Sequence, residues 1–150
     1  MPVLLNDALF PISYQPWYVF EATLKAAETT FDKYDVLVSD SGTYTRAAND
    51  AVVVTGYVVA LEKWYDGMTT LQVATPGSLI PGVLAGAVQP NGLVKIALGN
   101  AATGMRYTAA AAADIATGKV VGRYRSNKTN HKLLTVGAAN DIVEIQTGVF

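Results

Sequence analysis

The chain has 150 residues, 51% hydrophobic and 15% charged, with a formal net charge of −1 and no cysteine. That length makes one ordinary domain, or two small modules sharing a core. A charged fraction well under the roughly 25% of soluble domains favours a protein that buries much of its exterior against sister subunits or a larger assembly. The near-neutral charge opposes nonspecific nucleic-acid binding, the lack of cysteine excludes disulfides, thiolate zinc sites and cysteine nucleophiles, and no apolar run reaches the length of a membrane span.

Residues 1–18 place Pro2, Pro11 and Pro16 among Leu4, Leu5, Leu9, Phe10, Trp17 and Tyr18. Prolines oppose helix, and large apolar residues oppose simple solvated disorder. The stretch reads as an extended N-terminal arm that docks on a partner, or as a strand lying across the chain's own core. No basic residue precedes its apolar part, and Asn6, Asp7 and Pro11 interrupt it, unlike a secretory signal.

Alternation predicts a strand over 19–24 and an apolar run a second over 35–38, then a turn at Ser39-Asp40-Ser41-Gly42. Asp66-Gly67, flanked by β-forming residues, predicts a hairpin over 52–75. Thr75-Pro76-Gly77-Ser78 and Ile80-Pro81-Gly82 read as loops, and Pro90-Asn91-Gly92 as a turn between 83–88 and 93–98. Ala109 to Ala113 has helix propensity enough for a short turn. Residues 119–125 and 132–136 read as a hairpin around 126–130, and 142–149 as a closing strand with Val143, Ile145 and Thr147 on one face.

The chain also repeats itself. From Tyr44 it reads YTRAANDAVVVTGYVVA, and from Tyr107 YTAAAAADIATGKVVGRY. Tyr to Gly spans 12 positions in the first copy and 11 in the second, and Val58 to Leu71 matches Val120 to Leu133 at 13. A strand-rich chain with frequent turns predicts an all-β fold, a small antiparallel barrel or sandwich, built from two similar strand-hairpin units. The arm covers 1–18 and the β domain 19–150, with units of about 19–90 and 91–150.

Little in the sequence suggests chemistry. His131, the single histidine, lies in a polar stretch without a ligand pair at short spacing. Glu21, Glu28, Asp32 and Asp35 alternate with Lys25 and Lys33 as a solvated edge would. No Gly-x-Ser-x-Gly elbow is present, and Gly118-Lys119 lacks the rest of a phosphate loop. We therefore expect neither catalysis nor a metal or cofactor. The one charge cluster is Arg123, Arg125, Lys128 and Lys132. Alternation puts both guanidiniums on one strand face and Tyr124 on the other, an arrangement suited to carboxylates on a partner.

The run AANDAVVVTGYVVALEKWYDGMTTLQVATPGSLIPGVLAG and the closing AANDIVEIQTGVF resemble the head decoration proteins of tailed bacteriophages, the lambda-like kind and related capsid accessory proteins. Asp50, Gly56 to Ala60, Thr69-Thr70-Leu71 and Gly77 fall where that family has its Asp-containing turn, Gly-x-Val strand, Thr-Thr-Leu strand and glycine loop. The resemblance implies a non-catalytic cement protein on the capsid exterior, made in the host cytoplasm, that binds the major capsid protein as a homotrimer, without membrane or direct nucleic-acid contact. Leu4, Leu5, Phe10, Trp17 and Tyr18 in the arm, with Arg123, Arg125 and Lys128, are the candidate partner-binding residues. A phage tail or baseplate part, or a carbohydrate-binding module stacking on Trp64, Tyr65 and Tyr57, are the other readings.

Overall fold

The computed structural model describes residues 18–26, 30–47, 53–97, 104–129 and 134–150. Among these residues, ten strands and one short helix follow in chain order: β1 (Val19–Thr23), β2 (Val36–Asp40), β3 (Thr43–Arg46), β4 (Val58–Ala60), β5 (Thr70–Ala74), β6 (Leu79–Val83), β7 (Leu93–Ile96), β8 (Tyr107–Ala109), α1 (Ala112–Ala116), β9 (Val120–Asn127) and β10 (Ile142–Thr147). They form two five-stranded antiparallel sheets, ordered β1-β5-β4-β2-β3 and β6-β10-β9-β7-β8. Each sheet takes the first, fifth, fourth, second and third strand of its half, so the repeat read in the sequence is a repeat of topology. In strand order the second unit begins with β6, ahead of the 90/91 boundary taken from the echo.

The two echoed tyrosines hold equivalent places. Tyr44 makes a lone parallel bridge to Leu24 at the end of β1, and Tyr107 makes one to Leu84 at the end of β6. These bridges draw the outer strands of each sheet together at one point, but no ladder closes either sheet into a barrel. The architecture is the sandwich of the two expected alternatives.

Period-two alternation sorts the side chains. Val36 and Val59 face the second sheet and join a core with Ile80, Val94, Tyr107, Val121, Tyr124, Val143 and Ile145. Their neighbours Leu37, Val58 and Ala60 face the other way, into a second core with Phe31, Met68, Leu71 and Val73. Buried on both faces, β4 is apolar at every position.

That second core explains why the hairpin expected over 52–75 forms with only a short ladder. Asp66-Gly67 does make a turn, with the Met68 N–H donating to the Tyr65 carbonyl and Gly67 at φ 87°. β4 and β5 do pair antiparallel on either side of it, with Val59 opposite Ala74 and Ala60 opposite Val73, but their ladder does not run on to this turn. The segment between β4 and β5 instead lays Trp64 and Met68 against the outer face of the first sheet, and each large apolar side chain so buried contributes on the order of 2 kcal/mol. The tight two-residue hairpin is the β2–β3 turn, where Ser41 (φ 54°) and Gly42 (φ 90°) both take the left-handed backbone that such turns require.

Two other expectations are corrected. Residues 80–82 lie within β6, where Pro81 pairs with Glu144; proline is tolerated because β6 is an outer strand whose free edge needs no N–H. Residues 134–136 form no strand, and β9 pairs with β10 and β7 instead. Leu133 lies outside the described residues, and β10 takes the place in the second sheet that β5, with Leu71, has in the first. The closing strand behaves as read: Val143, Ile145 and Thr147 are buried on one face.

Close packing between β9 and β10 depends on Gly122, where an added Cβ would collide with the Gln146 backbone carbonyl. Gly122→Ala should cost about 3 kcal/mol in urea unfolding. Gly86 has open space around it and no positive φ, so Gly86→Ala should stay within about 0.5 kcal/mol of wild type. Equal effects would contradict this packing.

Candidate functional site

The two copies of the Thr-Gly motif meet. Thr55-Gly56 precedes β4 and Thr117-Gly118 precedes β9, and the Val54 N–H donates to the Gly118 carbonyl at 2.7 Å. Gly118, at φ 71°, is so close to Thr55 that an added Cβ would strike that side chain. Beside this contact Tyr57 crosses between the units. Its hydroxyl donates to the Val121 carbonyl at 2.7 Å and accepts the Gly148 N–H at 3.2 Å. Burial pushes the Tyr57 phenol far up, so it remains neutral.

Around this seam lies a cavity of about 340 Å³, lined by Val54, Gly56, Tyr57, Pro76, Ile115 and Phe150 among others, with no charged side chain in the lining. At its margin stand three exposed large apolar residues: Val53 at 56%, Ile115 at 41% and Phe150 at 55%. Val53 belongs to this group because its Cγ1 approaches the Gly118 position. Isolated exposed apolar residues are ordinary, but a convergent set around a cavity marks an interaction surface.

A second cleft, about 290 Å³, opens where the segment 32–35 meets β6 and the approach to β8. Asp35 and Arg46 form an ion pair there at 3.0 Å, both side chains only 10% exposed. The same Asp35 oxygen accepts the Asp32 N–H. Desolvation raises the Asp35 carboxyl above its ordinary range, outweighing the Asp32 N–H and the Arg46 guanidinium that hold it down. Tyr107, at the inner wall, is fully buried and pushed up for the same reason. The lining contains no serine, threonine or histidine, and its buried carboxylate is engaged by a cation and a backbone N–H, as in a structural ion pair.

The sequence-derived candidates divide. Leu4, Leu5, Phe10 and Trp17, with His131 and Lys132, lie outside the described residues. Tyr18 is 69% exposed, with its ring 5.9 Å from that of Phe20. Arg123 and Arg125 share one face of β9 opposite buried Tyr124, as alternation predicts, and β9 runs on to Asn127, past the expected strand end at 125. Both turn inward to the Pro90-Asn91-Gly92 turn: Arg123 donates to the Asn91 carbonyl, and Arg125 to the Asn91 side chain and to Gln146. Lys128 lies 3.6 Å from Glu144. Much of the cluster's charge is thus engaged within the chain, where it steadies a turn whose central Asn91 holds φ 61°.

The proposed aromatic platform is dispersed. Tyr57 is buried in the inter-sheet core, Trp64 packs on the opposite face of the first sheet, and only Tyr65 is well exposed. Among the described residues no group of three or more potential metal ligands assembles, and no helix is long and apolar enough to cross a membrane. The seam cavity is the feature that reading the sequence missed. The meeting of two Thr-Gly turns was its available signal, visible only as an echo.

Asp35 generates a test by pH. A carboxyl whose pKa is raised in the folded state binds its proton more tightly there than in the unfolded chain. It therefore contributes stability at low pH that is lost as pH rises through its folded pKa. Asp35→Asn lacks that contribution, so the variant's stability minus that of wild type should increase from acid to neutral pH in urea unfolding. A flat or falling difference would contradict the desolvated site.

No family model matches the chain, and neither does any curated protein or any solved structure.

Proposed function

We propose that this chain is a structural virion protein that decorates and stabilises a tailed-phage capsid, binding the major capsid protein as a homotrimer on the shell exterior. The observation that carries the reading is a low-charge β-sandwich with large apolar side chains left in solvent. Tyr18 is 69% exposed, Phe150 55%, Val136 51% and Ile142 50%. Such surface favours burial against a partner, at roughly 25 cal/mol per Å² of apolar area removed from water. The sequence resemblance to decoration proteins supplies the kind of partner.

Two surfaces are suited to the task. The seam cavity with Val53, Ile115 and Phe150 offers an apolar centre of the kind that dominates interface energetics. At the opposite end of β10, exposed Ile142 stands opposite Val83 of the outer strand β6, while exposed Leu79 stands opposite Gln146, nearer the seam. Catalysis plays no part in this reading. The segment 1–17, with Leu4, Leu5, Phe10 and Trp17, adds further apolar contact, and Arg123, Arg125 and Lys128 contribute to a polar rim.

Purified protein added to capsids that lack it should co-sediment with them and raise the temperature at which they release their contents. Removing residues 1–15, or introducing Ile142→Asp, should weaken retention. In solution the native mass should be three times the 15.9 kDa of the chain. Failure of the intact protein to bind or stabilise shells would sink the proposal, and label found on tails rather than heads would move the protein to tail assembly.

A further inference from the structure

The first described residue, Tyr18, lies close to the seam cavity. The Thr75 N–H donates to the Tyr18 carbonyl, extending the β1–β5 register in which Val19 stands opposite Ala74. The next residue after Thr75 is Pro76, part of the cavity lining. Alternation along β1 gives the side to be met by the preceding residue. Phe20 packs, with Ala22 and Leu24, in the outer core of the first sheet, and the Tyr18 ring lies near Phe20. Val19, Glu21 and Thr23 lie on the other side and are exposed. A residue at position 17 that continued this alternation would share the side of Val19.

The chain preceding Tyr18 has the composition such a cavity would accept. Residues 1–17 include Leu4, Leu5, Leu9, Phe10, Ile12 and Trp17, with Asp7 as the only charged side chain. Pro2, Pro11 and Pro16 each lack an N–H, which favours attachment through side chains over a continuous ladder. The cavity presents no charged side chain, and its rim residues Ile115 and Phe150 are otherwise left in water.

We propose that the segment immediately upstream of Tyr18 docks into the seam cavity of its own chain, with the indole of Trp17 as the group that enters between Pro76, Ile115 and Phe150. The occupant is intramolecular because the covalent link at Tyr18 leaves it only a residue or two from the lining, an effective concentration that a separate copy could not match. On the capsid reading, the same side chains would pass from cavity to shell, but the inference stands without that reading.

The chain has two tryptophans, Trp17 and Trp64, so Trp64→Phe leaves Trp17 as sole reporter in the full-length protein. Its emission should be blue-shifted and protected from acrylamide, unchanged on dilution. Adding Ile115→Asp should shift the emission to that of a solvated indole with a several-fold gain in quenching. Phe150→Asp, at a position outside the strands, should do the same while circular dichroism reports the fold intact. A solvated Trp17 in the single-tryptophan protein, protection that survives both substitutions, or protection lost on dilution would each overturn the proposal. None of these readouts involves capsids, so the docking and the decoration reading can fail separately.

Discussion

The Tyr57 hydroxyl belongs to one unit and finds its hydrogen bonds in the other. It donates to the Val121 carbonyl at the start of β9 and accepts the Gly148 N–H just past β10. A phenol buried without such partners would be costly, so the position of β4 in the first sheet is tied to those of β9 and β10 in the second. Neighbouring bonds repeat the constraint. Val54 donates to Gly118, and the Thr147 hydroxyl accepts the Gly77 N–H while donating to the Ser78 carbonyl, fixing the connection between sheets against the last strand. The inter-sheet core draws residues from both halves. Two topologically equivalent units are therefore locked face to face by polar contacts as well as by apolar packing.

Equivalence of topology has not kept the two units alike. The first sheet is covered on both faces, one by its partner sheet and the other by Phe31, Trp64 and Met68. The second leaves its outer face to Arg123, Arg125, Glu144 and Gln146, which bond among themselves, to the Asn91 turn and to neighbouring polar residues. Exposed apolar side chains concentrate instead at the seam and along the β6 and β10 margin. An interaction surface placed at the seam draws on both copies at once, which neither unit could present alone.

The fold was legible in the sequence wherever a local rule was decisive. Alternation set β1 and β10, an apolar run set β2, the Ser41-Gly42 pair carried the backbone a tight hairpin demands, and the alanine stretch gave one turn of helix, held at its start by Asp114 accepting the Ala111 N–H. It was illegible where a distant contact overrode the local rule. Asp66-Gly67 is a true turn, but Trp64 and Met68 are drawn onto a sheet face that no window of neighbouring residues reveals. Pro81 looked like a strand breaker because its place at an outer edge depends on β10, some 60 residues later. The seam cavity is illegible for the same reason: its walls come from positions near 55, 76, 118 and 150, and only the echoed Thr-Gly pairs hinted that two of them are equivalent.

The central claim is that the seam makes the two units one cooperative structure, and native-state hydrogen exchange under increasing denaturant tests it most directly. Amides of β4 in the first sheet and of β9 and β10 in the second should lose protection together, with the same free energy and the same denaturant dependence. Exchange of one sheet while the other remains protected would contradict the claim.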